Sequence, residues 1–231
     1  MSDKMLFPSI EQRLSGLIEI ERRRDQEAEA RVKVLKSTIT ISREFGCEAY
    51  PMAERLREIM ERKTCEPWTL MDKALLDEVE KNNALSSDIL RSLGERNLWI
   101  DDFLATMSNR WQSDREYYRH LSRYIVSLAT QGNVIIVGRG ASIITQRMKN
   151  CRHFRIYGSM EFKTQSIARR AHLSLQDAAL LVEKKQKLRD KFIRDFLDED
   201  AHDLSFYHLV FNNDKNSTDR IAQLIADYVT S

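Results

Sequence analysis

Five polar clusters carry most of the chemical potential of this chain. They are Ser42 to Cys47, Asp72 with Lys73, Gly138 to Gly140, Gly158 to Glu161, and Asn212 to Lys215. Each follows a short apolar run, and glycine is scarce elsewhere, with 7 in the whole chain. If those runs are parallel strands, the clusters converge at the carboxyl ends of one sheet, where open α/β sheets bind their ligands. A second feature is a basic stretch from Lys163 to Arg194, which holds nine Lys or Arg against three Asp or Glu. Such a run is most simply a solvated helical face, and it is also a surface on which RNA or another polyanion could be held.

Other chemistries are poorly supported. The five histidines, His120, His153, His172, His202 and His208, show no ligand spacing, so no metal site is expected. The three cysteines, Cys47, Cys65 and Cys151, form no CxxC pair, which argues against a disulfide framework and fits a reducing cytoplasm. Cys47 at a helix N-terminus invites a lowered pKa, but inert packing is the simpler expectation. Trp68, Trp99 and Trp111, with Tyr117, Tyr118 and Tyr124, read as helix-packing residues rather than base-stacking ones.

The elements that would position the clusters are legible from periodicity. Thr38 to Ile41 alternates and is β-branched, as a buried strand should be. A helix is expected from Pro51 to about Arg62, with the proline in its first turn. Pro67 to Met71 reads as a strand, and 73–131 as helical in pieces with a break at Gly94. Asn133 to Val137 is the clearest buried strand, and a helix to about Lys149 should follow it. His153 to Tyr157 is a fourth strand. A helical stretch over 160–199 is restarted by a capping box at Ser174 and Asp177. Phe206 to Phe211 is a fifth strand, and Asn216 with Asp219 caps a last helix over 217–229. Strands alternating with helices imply a parallel sheet covered on both faces. Residues 9–36 read as a helical arm with one apolar face, which either leans on the body or pairs with a second copy.

Bulk composition bounds these readings. The 231 residues and 27.1 kDa suit one full domain with an arm. Hydrophobic residues make up 42% and charged residues 31%, which excludes a disordered or fibrous chain. The net charge of +2 gives no support to a dedicated nucleic-acid binder. No apolar run approaches the roughly 20 residues of a membrane span. The opening MSDKMLFPSIEQRL has no apolar region of a secretion signal.

The stretch TITISREFGCEAYPMAERL resembles the opening of the cytidylate kinase-like family, a branch of the P-loop nucleoside monophosphate kinases, whose usual form is close to ITISREFGSGGREIAEKLA. LMDKALL and VIIVGRGASII resemble its second- and third-strand motifs. SIARRAHLSLQDAALLV, LRDKFIRDF and FYHLVFNND resemble its lid and final strand. The resemblance covers about residues 37–230. It implies a P-loop kinase-like α/β fold with a five-stranded parallel sheet flanked by helices, plus an N-terminal helical arm over 1–36. Within the domain at 37–231 it implies a helical acceptor-region insert at about 73–131 and a lid at about 160–199.

The resemblance also assigns roles. Gly46, Cys47, Glu48, Ala49 and Tyr50 fall on the nucleotide-binding loop, Asp72 and Arg139 on the acceptor side, and Lys163, Arg170 and Arg189 on lid positions that stabilise the transferred group. ATP and magnesium would be the cofactors, with CMP a candidate acceptor. The loop departs from the pattern. Cys47 replaces a serine, Glu48 and Ala49 replace two glycines, and Tyr50 takes the basic position ahead of Pro51. The aspartate that follows Arg139 in cytidylate kinases is Gly140, and an acid of the lid is Gln186. Two functions from different classes follow. One is phosphoryl transfer from ATP to a nucleoside monophosphate or other small acceptor. The other is a catalytically impaired pseudokinase acting as a nucleotide sensor or interaction subunit. Neither a membrane nor nucleic acid is an expected partner, and the arm is a candidate homodimer surface.

Overall fold

A computed structural model of the chain describes residues 35–72 and 112–231. The N-terminal arm, the greater part of the expected insert, and Trp99 and Trp111 lie outside the described residues.

Five strands form one parallel sheet. They are β1 (Thr38–Arg43), β2 (Thr69–Met71), β3 (Val134–Val137), β4 (Cys151–Tyr157) and β5 (Leu209–Asn212), in the spatial order β2-β3-β1-β4-β5. The helices are α1 (Ala49–Thr64), α2 (Gln112–Gln131), the single turn α3 (Ala141–Ile144), α4 (Met160–Ala171), α5 (Leu175–Leu197) and α6 (Thr218–Thr230). Thr38 pairs with Val134 on one side and Cys151 on the other, so β1 is central. Its carboxyl end is therefore flanked by the ends of β3 and β4, where a ligand can be reached from both sides.

Alternation along the strands divides the core. Ile39, Ile41, Ile135, Val137, Phe154 and Ile156 face α1 and α6, against Met52, Leu56, Ile221 and Ile225. Val134 and Ile136 face the other way, against Leu121 and Ile125 of α2 and Ile143 and Ile144 of α3. Both faces are dry, which is why the strands read as continuous apolar runs. No described helix is long and apolar enough to cross a membrane.

Several boundaries move for local reasons. Helix α1 begins two residues before Pro51; its first i to i−4 bond, Met52 N–H to Glu48 carbonyl at 3.3 Å, comes after the proline, so the missing N–H costs nothing. The helix expected to reach Lys149 stops at Ile144. There the Thr145 hydroxyl donates back to the Ala141 carbonyl at 2.7 Å, and successive turns at Thr145 and Met148 lead into β4. The fifth strand begins at Leu209 after a 3₁₀ turn over Leu204–Phe206. The last helix is capped by Ser217, whose Oγ accepts from the Arg220 N–H; Asn216 instead donates to the Asn212 carbonyl at 2.9 Å. The capping box at Ser174 and Asp177 forms as read.

A histidine pair, His153 buried and His208 exposed, ties β4 to β5. His153 is 1% exposed, and its Nδ1 lies 2.8 Å from Thr40 Oγ1. Its N–H donates to His208 Nδ1 at 3.0 Å, and its carbonyl accepts from the His208 N–H at 2.7 Å. Burial first, then His208 and Arg152, pull the His153 pKa down to about 4. The fold thus holds the ring neutral. This stability is fully present above the unfolded value near 6.5 and is lost as pH falls toward 4. On the order of 2 to 3 kcal/mol should disappear across that window. Urea midpoints measured at both ends should fall more for the native chain than for His153→Gln; equal losses would contradict this account.

Candidate functional site

The loop between β1 and α1 is the natural anion cradle of this topology, since its backbone N–H groups and the α1 N-terminus face the sheet's carboxyl edge. Three of those N–H groups are engaged by the protein itself. Phe45 N–H donates to Gln186 Oε1 at 2.8 Å, Cys47 N–H to the Glu44 carbonyl at 3.4 Å, and Glu48 N–H to Asn213 Oδ1 at 3.0 Å. Glu48 sits at the N-cap of α1 but makes no side-chain capping bond. Its carboxylate instead turns to the lid, where Oε1 accepts from Arg169 Nη2 at 2.8 Å and from Ser166 Oγ at 3.2 Å.

The stretch expected as a lid forms the α4–α5 hairpin, with a small core of Ile167, Ala178 and Val182 that packs on Phe45 of the loop. Lys163 Nζ donates to Glu44 Oε2 at 2.7 Å, while Glu44 Oε1 lies 3.7 Å from Arg155. Arg170 donates to the Gly46 carbonyl at 3.2 Å. Arg189 donates to the Arg43 carbonyl at 3.3 Å and stacks over the Phe45 ring at 5.0 Å. The three lid cations named from sequence thus all meet the loop through backbone or acidic groups of this chain.

The remaining loop residues are distributed by role. Gly46 and Ala49 are buried, Ala49 within the core beneath α1. Cys47 is buried, and burial together with the Glu44 carboxylate pushes its thiol up to about 12, so it is not a poised nucleophile. Tyr50 is 47% exposed. A cavity of about 310 Å³ opens on this side, lined by Gly46, Tyr50, Asp72, Arg170 and Arg189. Asp72 and Arg139 do not share a cavity: Asp72 lines this one and Arg139 the next.

A larger cavity of about 450 Å³ lies between the ends of β1, β3 and β4 and the second half of α5. Arg43, Arg139, Arg155, Lys185 and Arg189 line it together with Phe192, Ile193 and Tyr207. Arg43, Phe45 and Arg189 line both cavities and form the wall between them. The Arg43 guanidinium lies under Gly138, whose φ of +88° and contact with Arg43 leave no room for a Cβ. Burial, then Arg189 and Arg139, pull Arg43 down to about 9, against the opposing pull of Asp72; it remains a cation at neutral pH. Arg155 is held by the Ala201 carbonyl at 2.7 Å and Ser42 Oγ at 3.2 Å, and its guanidinium lies over Tyr207 at 5.6 Å.

Sequence reasoning placed Arg43 and Glu44 in the Ser42–Cys47 cluster and Arg169 in the basic stretch without assigning them roles, and it missed Arg155 and Tyr207 as parts of this site. Arg43 and Glu44 lay inside a recognised motif, at a strand end, and were open to being found. Arg155 is 4% exposed in β4, and a cation buried so deeply has partners. Tyr207 had no local signal. Among the described residues no cluster of His, Cys, Asp and Glu is suited to a metal ion.

A parallel sheet of order β2-β3-β1-β4-β5, a loop running from β1 into α1, and a cationic helical lid define a P-loop kinase-like α/β protein. The model of the cytidylate kinase-like family matches residues 38–215, and the chain belongs to that family. The crystal structure of an uncharacterized protein from Eubacterium ventriosum is similar in fold, with a TM-score of 0.66 at 22% identity over 84% of this chain and 98% of that one. Shikimate kinase from Bacteroides thetaiotaomicron aligns over 84% of this chain and 99% of its own, with a TM-score of 0.42 at 12% identity. No curated protein matches the chain.

Proposed function

We propose that this chain is a catalytically silent member of the cytidylate kinase-like family, a small-ligand-binding protein that does not transfer phosphoryl groups from ATP. The observation that carries this reading is Glu48, a carboxylate in the phosphate cradle held by Arg169 and Ser166. A charge-assisted bond to phosphate is worth about 1.5–3 kcal/mol, and Tyr50 offers none where the family has a cation. An unpaired carboxylate 4 Å from a phosphate costs ~4 kcal/mol at an effective dielectric of 20, and the Arg169 pair offsets part of this for Glu48. Together these disfavour a triphosphate by several factors of ten.

The donor set does not fit a magnesium triphosphate. Cys47, with its thiol pushed up to about 12, replaces the hydroxyl that would reach the metal. The N–H groups of Phe45, Glu48 and Cys47 are bonded to Gln186, Asn213 and the Glu44 carbonyl. The transfer reading retains one supporting observation, the presence of Arg170, Arg189 and Asp72 around one cavity. An ATP-consumption assay with magnesium and a panel of nucleoside monophosphates separates the two. The silent reading expects no turnover above the blank; turnover abolished by Arg189→Ala would overturn it.

A further inference from the structure

The outer face of α5 is charged in blocks. From Lys184 to Arg194 every exposed charged side chain is a cation, with Lys187, Lys191 and Arg194 at three- and four-residue steps. Acids follow at once: Asp195, Asp198 and Glu199 are all exposed. At 3.6 residues per turn, Lys187, Lys191, Arg194, Asp195 and Asp198 fall within about 100° of arc. Val182, Arg189 and Ile193 lie on the opposite side, which faces the hairpin core and the larger cavity. One helix face thus carries a positive block and a negative block end to end. The chain does not use these charges internally. Among the described residues no ion pair joins any of them. Lys191 with Asp195, and Arg194 with Asp198, stand four residues apart with the cation on the N-terminal side, the weaker order for a pair within one helix.

The pattern is self-complementary. Two such faces laid parallel would set each block against its like and repel. Laid antiparallel, about a two-fold axis near Arg194 and Asp195, Lys191 of each copy meets Asp198 of the other and Arg194 meets Asp195, and the symmetry doubles each pair. A polyanion would satisfy the cations but would meet the acidic block within a Debye length of about 8 Å. We infer that the outer face of α5 is a docking surface for a second copy of this chain, antiparallel, the basic block of each copy on the acidic block of the other. Exposed ion pairs are individually weak, so the association is reversible and strongly salt-dependent. On the inner side of the same helix, Gln186 accepts from the Phe45 N–H and Arg189 donates to the Arg43 carbonyl. A second copy therefore braces from outside the helix that closes on the loop. The surface makes no use of Glu48 or of a nucleotide, so it goes beyond the silent-kinase reading and survives that reading's failure.

The test is sedimentation velocity of the full chain over a concentration series, in about 50 mM and about 500 mM salt. The average mass should rise with concentration at low salt, and the association should weaken by at least about tenfold at high salt. Two double variants reverse one block each: Lys187→Glu with Lys191→Glu, and Asp195→Lys with Glu199→Lys. All four positions are exposed, so each variant should keep the native thermal midpoint within about 2 °C. Alone, each should self-associate at least about tenfold more weakly than the native chain, because like blocks now meet. Mixed in equal amounts, the two should associate with each other at least as tightly as the native chain does with itself. Association indifferent to salt and to both variants would overturn the inference and place self-association elsewhere in the chain. So would failure of the mixed variants to associate. A native chain that stays unassociated at low salt would also overturn it, and poly(U) binding lost on Lys187→Glu with Lys191→Glu would then assign the basic block to a polyanion.

Discussion

Glu48→Gly combined with Tyr50→Lys should give this chain a saturable, magnesium-dependent affinity for ATP well above that of the native sequence. The first change removes the carboxylate from the cradle and releases Arg169. It costs little stability, because Glu48 makes no side-chain capping bond and glycine is a competent N-cap. The ion pair lost with it is to an Arg169 side chain that is 72% exposed, a class of pair worth at most about 1 kcal/mol. The second change places an ammonium in the first turn of α1, where the family carries its cation. Restoring one charge-assisted phosphate contact and removing one repulsion should strengthen ATP binding by about a hundredfold or more. Calorimetry of the double variant against the native chain checks this. An unchanged, undetectable affinity would mean that Gln186 and Asn213, rather than Glu48, keep the cradle closed.

Gly132→Ala should destabilise the fold more than any other single-methyl addition outside the core. Gly132 links α2 to β3 with φ of +74°, and its N–H closes the helix on the Leu128 carbonyl at 3.1 Å. A Cβ there would fall well inside van der Waals contact with the Lys36 carbonyl, a backbone atom that cannot step aside. The same carbonyl accepts from Asn150 Nδ2 at 2.9 Å, and Asn150 also holds the Ala129 carbonyl at 2.8 Å. Left-handed strain and backbone collision should together cost about 2–4 kcal/mol. In a domain of this size the thermal midpoint should fall by roughly 5 to 15 °C. A midpoint within about 2 °C of the native chain would show that the start of β1 can shift to make room.

Much of the scaffold was legible because its strands are buried on both faces. Ile39, Ile41, Ile135 and Phe154 lie in runs that no solvated surface would tolerate, and Ser174 with Asp177 announces a helix start by local chemistry alone. The failures were at ends set by competition between near-equivalent residues. Asn216 and Ser217 both cap well, and the choice depends on Asn216 reaching back to β5. The helix after β3 lost its second half because Thr145 offers its hydroxyl to the preceding turn. The site was legible by position more than by partner. Glu48 was visible as an oddity in the loop, but Ser166 and Arg169, 118 and 121 residues away, are joined to it only by the folding of the lid over the sheet. Arg43 and Arg155 look like ordinary strand residues until β1 and β4 are paired in register, Ser42 against Arg155.

The central claim is that the nucleotide cradle of this kinase fold is occupied by the chain's own side chains. Its most direct test is calorimetric titration of the native chain with ATP and magnesium. The account predicts no saturable heat up to millimolar ATP. Saturable binding at micromolar ATP, lost on Arg170→Ala, would contradict it and return the loop to the role its family implies.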